Sequence, residues 1–188
     1  MLSARNHIRM LFAVCLAAAA CLAVTPVASA KAHTCKHSGA LAGQATKKQL
    51  VRATLCLLNK HRRAHHMTPL RLSKRLGVAA RGHSTEMARV HYFSHNSLSG
   101  ASFLDRIRRA GYLKRAHSWS VGENIAWGTG RMSTPRSIVR AWMHSPGHRA
   151  NILQRSFRHI GIGISAGAPV RAASRSAATY TTDFGMRG

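Results

Sequence analysis

Acid is what this 188-residue chain has least of: four Asp and Glu stand against 29 Lys and Arg. They are Glu86, Asp105, Glu123 and Asp183. Two-carboxylate glycosidase chemistry would need two of those four to converge. Asp105 is accounted for by the helix-start pattern Ser102-x-x-Asp105, and Glu86 falls mid-helix among basic residues. Other catalytic signatures are missing too. There is no G-x-x-x-x-G-K-[ST] phosphate loop, no G-x-S-x-G nucleophile elbow and no H-E-x-x-H pair. Aromatics make up 6% of the chain and are not interleaved with basic residues as single-strand binders require. No internal repeat is visible, and beyond residue 30 no apolar run approaches the ~20 residues of a spanning helix.

The first apolar run has another reading. Residues 10–24 are uncharged, follow Arg5 and Arg9, and precede Ala28-Ser29-Ala30. A positive end, a short apolar stretch and an A-x-A site make a signal peptide over residues 1–30, cut after Ala30. A membrane anchor is the competing reading of that segment. What remains is a tail (31–45) and one domain (46–188), expected to be secreted and extracellular. Cys15 and Cys21 leave with the signal. Cys35 and Cys56 remain as an even pair in an exported chain, expected as a disulfide. Without Arg5 and Arg9 the 29 basic residues become 27, and against four acids the formal charge is +23 with His neutral. Such a charge suits an anionic partner. Export points to a cell-wall polymer or lipid head group and away from nucleic acid. A solvated arginine-rich surface is the plain alternative.

Periodicity supplies the elements. Leu50, Thr54, Leu57, Leu58 and His61 share one face of a helix over 46–64. Ser73 caps a second helix running to about Tyr92, with Leu76, Ala80, His83, Met87 and Val90 inward. A third begins at Ser102 and ends before Gly111. A fourth starts at Thr134-Pro135 and is ended or kinked by Pro146. The period then drops to two: 159–164 and 178–185 read as strands, paired antiparallel. Helices followed by a small sheet predict an α+β layered domain.

Of the four acids, Glu123 stands apart. It lies in Val121-Gly122-Glu123-Asn124-Ile125-Ala126, outside any clear helix, and a carboxylate buried there needs a partner. The flanking pieces resemble, in order, the CAP superfamily of cysteine-rich secretory, antigen 5 and pathogenesis-related 1 proteins, in its bacterial secreted branch. They are Leu58-Asn59-Lys60-His61-Arg62, Phe93-Ser94-His95, Gly122-Glu123-Asn124, Ser145-Pro146-Gly147-His148-Arg149-Ala150-Asn151-Ile152-Leu153 and Thr182-Asp183-Phe184-Gly185. The resemblance covers residues 50–186 and implies a three-layer α-β-α sandwich with a small, mostly antiparallel sheet. It also implies a central cleft bearing His95, Glu123 and His148, with Asn124 supporting Glu123 and Ser145 beside His148. Many relatives carry W-x-x-E; here Trp142-Met143-His144-Ser145 puts Ser145 at the acid's place. No cofactor is required by this pattern. His95 and His148, with Glu123 as a third donor, could hold Zn²⁺ or another divalent cation. Alternatively Glu123 tunes one His without metal, or the cluster is a buried polar network that pins loops. The resemblance implies a secreted ligand-binding module for lipid, cell-wall polymer or divalent metal. The alternatives are a metal-dependent, protease-like hydrolase using His95, Glu123 and His148, and a structural secreted protein without cleft chemistry.

Overall fold

A computed structural model describes residues 34–171 and 176–188. The signal peptide expected over residues 1–30 lies outside the described residues. Five α-helices surround one sheet: α1 Lys47–Ala64, α2 Lys74–Val90, α3 Phe103–Arg109, α4 Pro135–His144 and α5 Pro146–Ile152. The strands are β1 Arg71–Leu72, β2 Trp119–Gly128, β3 His159–Ala166 and β4 Ala178–Arg187, ordered β1-β3-β4-β2. β1 runs parallel to β3; the other pairings are antiparallel, so the sheet is mixed but mostly antiparallel as expected.

Local chemistry sets the helix starts. The Thr46 hydroxyl accepts the Gln49 amide while the Gln49 side chain accepts the Thr46 amide. Ser102 and Asp105 do the same for α3, as their spacing predicts. Ser73 caps α2, and Gly111 takes φ +74° after α3. Pro146 does more than end α4. A first-turn proline loses no hydrogen bond, so it opens a new helix that carries His148.

One expectation needs correction, and one segment left outside the helices gains an assignment. Val90 is 43% exposed, because α2 stops there and the chain turns left-handed at His91 (φ 60°). The Glu123 segment is a ten-residue strand, β2. Its centre is buried on both faces, so it lacks the apolar-polar alternation that reveals a half-exposed strand.

Two apolar clusters make the layers. On one side of the sheet, Leu50 and Leu58 of α1 meet Ile138, Val139 and Trp142 of α4, Ile152 of α5, and Ile160, Ile162 and Ile164 of β3. On the other, Leu76 and Ala79 of α2 meet Ile107 of α3 and Tyr112. The expected disulfide joins Cys35 to Cys56, tying the tail to α1 across 21 residues. A loop of that length contributes roughly 3 kcal/mol in the chain-entropy picture.

Arg62 of α1 is fully buried and has no acid partner among the described residues. Its guanidinium donates to the carbonyls of Thr68, Ile152, Gln154 and Phe157. It thereby satisfies the end of α5, where carbonyls have no helical donor. Asn59, one turn earlier, exchanges two hydrogen bonds with the Leu70 backbone.

Candidate functional site

The site gathers around β2, which is an outer strand of the sheet. A free strand edge leaves carbonyls unpaired. Here the Asn151 side chain donates to the Glu123 carbonyl (3.1 Å) and the Trp142 indole to the Ile125 carbonyl (3.1 Å). These two bonds fix α4 and α5 against the edge.

Alternation along β2 sends Glu123 and Asn124 to opposite faces. The Glu123 carboxylate is almost fully buried and both its oxygens are engaged. Oε1 lies 2.8 Å from His95 Nδ1, and Oε2 accepts from Arg106 Nη2 at 2.7 Å. Arg106, on α3, is itself buried and also donates to the carbonyls of His95 (2.8 Å) and Ala101 (3.0 Å). One guanidinium therefore compensates the buried acid and holds the loop that carries His95. The His95 side chain is 52% exposed, its Nδ1 edge on Glu123 and its Nε2 edge free of protein partners among the described residues.

The same loop is held from α2. His83 Nε2 bonds the Ser94 carbonyl at 2.9 Å, which makes Nε2 the protonated nitrogen. Burial holds the His83 pKa below its ordinary value, so the ring is neutral. Glu86 accepts from the Ser97 hydroxyl (2.8 Å) and the Leu98 amide (3.3 Å). Partial burial pushes its carboxyl up, but the Ser97 hydroxyl, the nearby Tyr92 phenol and the Leu98 amide outweigh it and hold the acid below its usual range.

On the other face, Asn124 does not support the Glu123 carboxylate, contrary to expectation. Its amide donates to the His148 carbonyl (3.0 Å) and its oxygen accepts from Asn151 (2.9 Å). It positions His148 instead, because residues adjacent in a strand cannot share a face. His148 Nδ1 is 2.9 Å from the Ser145 hydroxyl, so Ser145 orients the ring from within the same turn. Burial first, and the nearby His95 second, hold the His148 pKa down.

The fourth acid belongs here as well. Asp183 of β4 lies directly opposite Glu123 in the β2–β4 register and is completely buried. Neither of its oxygens meets a donor among the described residues. Burial, and then the Glu123 charge, push its carboxyl well above the usual range, with Arg106 pulling the other way. Both causes favour the protonated form of Asp183 beside the Glu123 charge. The sequence shows that Glu123 needs a partner; it does not single out Arg106 among 29 basic residues, nor Asp183 across the ladder.

The donor set bears on metal. Glu123, the third ligand the resemblance implies, spends both oxygens on His95 and Arg106. The ring edges of His95 and His148 are then the remaining donors. That falls short of the three protein ligands of a catalytic zinc centre. No group of three or more His, Cys, Asp or Glu among the described residues is arranged to hold a metal ion.

Residues 55–181 match the family described as CAP: Cysteine-rich secretory protein family. The uncharacterized protein YkwD of Bacillus subtilis is 38% identical over 107 residues, which is 57% of this chain and 39% of that protein. The uncharacterized membrane protein YlbC of Bacillus subtilis is 32% identical over 110 residues, 58% of this chain and 30% of that one. The chain thus spans well under half the length of these two relatives. Among solved structures, an extracellular protein containing a SCP domain from Bacillus anthracis superposes with TM-score 0.56 at 27% identity, covering 76% of this chain and 44% of that one. An outer surface protein of Borrelia burgdorferi gives TM-score 0.62 at 17% identity over 77% and 97% of the two chains, which is likeness of fold alone.

Proposed function

Since the chain belongs to the CAP family of cysteine-rich secretory proteins, we propose that it works outside the cell as a ligand-binding module and not as a hydrolase. Export is supported by the signal-like N-terminus, by the Cys35–Cys56 bond and by the extracellular description of the Bacillus anthracis protein. The observation that carries the binding reading is the state of Glu123. A general base needs a free lone pair within reach of the proton it takes. Glu123 lies out of a substrate's reach, because it is buried behind His95 and Arg106, each of which holds one of its oxygens. Its work is to orient His95. The two imidazoles, one held by Glu123 and one by Ser145, then present fixed polar contacts at the β2 edge. They suit the polar part of a lipid or wall fragment, with a loosely held divalent cation as a further ligand of the same two nitrogens.

The test is an NMR titration of the His95 and His148 ring signals with solubilised wall fragments, with fatty-acid micelles and with Zn²⁺. At least one probe should shift both rings, and His95→Ala and His148→Ala should each weaken that binding by about tenfold, the worth of one good polar contact. Turnover of peptide or ester substrates by the wild type, abolished in Glu123→Gln, would overturn the reading in favour of a hydrolase.

A further inference from the structure

A second recess lies away from this cleft, near where β4 ends and α2 begins. It is a cavity of about 600 Å³ lined by Arg75, Lys114, Arg115, Ala116, Arg187 and Gly188. It adjoins a smaller one of about 270 Å³ that shares Arg75 and Arg187 and adds Tyr112 and His159. Four cations thus face one hollow. The ion pairs among the described residues all involve Glu86, Asp105 or Glu123, none of which lines either cavity.

The guanidiniums are also held in place. Arg75 Nη1 donates to the Gly111 carbonyl at 3.0 Å. Arg187 Nη1 donates to the carbonyls of Tyr112 (3.1 Å) and Lys114 (3.3 Å), and its guanidinium lies 5.6 Å from the Tyr112 ring centre. Carbonyls fix the geometry without cancelling the charge, so each fork keeps N–H groups to spend. Tyr112 in turn meets His159 Nδ1 at 2.9 Å. Burial pushes the Tyr112 phenol up to about 12, so its hydroxyl is the donor to that nitrogen. Burial first, then the charges of Arg187 and Arg71, hold the His159 pKa down.

We propose that Arg75, Lys114, Arg115 and Arg187 form a binding site for the phosphate groups of a linear phosphodiester polymer. A carboxylate presents two oxygens and is satisfied by one guanidinium fork. A phosphodiester also presents two charged oxygens, but its charges recur along the chain, which is what four cations spread over two joined hollows can meet. The larger cavity exceeds one phosphate, and its smaller neighbour shares two of the same arginines, so the pair suits a repeating chain. The two hollows run into one another through Arg75 and Arg187, which suits a strand of linked phosphates more than separate head groups.

The experiment uses the chain from residue 31, with a short synthetic glycerol-phosphate oligomer, inorganic phosphate, poly-glutamate, and vesicles of phosphatidylglycerol as probes. The site variant is Lys114→Gln with Arg115→Asn; both side chains are exposed, and Asn tolerates the positive φ of 61° at position 115. The control is Lys47→Gln with Lys48→Gln, an equal charge loss at the start of α1, in the opposite layer. The oligomer should bind more tightly than inorganic phosphate. The site variant should weaken it by about tenfold or more, as expected for lost charge-assisted bonds. The control should change it by less than about twofold at physiological salt, where distant charges are screened. The His159 ring signal should move on binding, and its titration midpoint should rise as the anion offsets Arg187. Equal losses in the two variants would reduce the effect to overall charge and overturn the site. Equal affinity for poly-glutamate would overturn the phosphate preference. Variant-sensitive binding to the vesicles without binding to the oligomer would make a membrane the partner and overturn the polymer.

Discussion

Asp183 shows how a single residue ties the site to folding. Its carboxyl, buried opposite Glu123 and without a donor of its own, is stable only while protonated. In the unfolded chain the same acid ionises near 3.9. Above that value, and until the raised folded value is passed, the folded state holds a proton that the unfolded state has released. Stability contributed by this group therefore falls as pH rises through that window and is fully lost above it. Asp183→Asn keeps the shape of the neutral acid and cannot ionise at any pH. Thermal melts of the two proteins should coincide at about pH 4 and separate by about pH 8, with the variant higher by a few degrees, since 1 kcal/mol is worth roughly 2–4 °C at this chain length. A gap that is constant with pH, or an Asn variant that melts lower at pH 8, would show that Asp183 is ionised in the fold. The acids with depressed values, Glu86 and Asp105, act with the opposite sign: their contribution is lost as pH falls. They are common to both proteins, so the difference between the melts isolates Asp183.

The contact between α2 and β3 is the tightest test at the level of elements. β3 alternates Ile and Gly, and the sequence reads this correctly as a strand. The structure adds which face each set serves. Ile160, Ile162 and Ile164 enter the core beside α1 and α4, while Gly161 and Gly163 lie under the backbone of α2. A methyl on Gly163 would overlap the Ala80 carbonyl, and one on Gly161 would overlap that of Leu76. Backbone cannot rotate out of the way as a side chain can. Gly163→Ala should therefore destabilise by at least the ~1–3 kcal/mol typical of overpacking, against the usual gain for Gly→Ala at unstrained positions. Denaturant melts measure it; an unchanged or raised midpoint would mean that α2 does not ride on the glycine face. That helix carries His83 and Glu86, so lifting it should also loosen the His95 loop. What is legible in the sequence follows a pattern. Helix caps, the strand period and the cysteine pair are local signals, and they place α1 to α4, β3, β4 and the disulfide. β2 is not legible because burial on both faces erases the period. Arg106 and Asp183 are not legible because their roles arise only from long-range pairing. Asn124 serves a different neighbour from the one its motif implies, because a shared motif does not mean a shared strand face.

At the scale of the whole molecule, the shortage of acid becomes an energetic fact. The 27 Lys and Arg beyond residue 30 face four acids, of which Glu123 is spent inside the fold on Arg106 and Asp183 is buried where its neutral form is favoured. Besides the His95–Glu123 contact, the remaining pairs among the described residues are Arg108 with Asp105, exposed at 3.8 Å, and the His83–Glu86 contact at 3.7 Å, whose ring is neutral. Surface ion pairs contribute little here, and like-charge repulsion opposes the compact state. The two apolar clusters and the Cys35–Cys56 bond hold the fold against it. Salt should then act as a stabiliser. Raising NaCl from about 0.01 to 0.15 M shortens the screening length from ~30 to ~8 Å, weakening repulsion between distant cations with few attractive pairs to lose. The melting temperature should climb by a few degrees over that range and then level off. The Asp183→Asn and Gly163→Ala variants should climb in parallel with the wild type, because neither substitution alters the exposed charge. A flat or falling curve would mean that the basic residues are already compensated within the fold, and it would remove the electrostatic ground for an anionic partner as well.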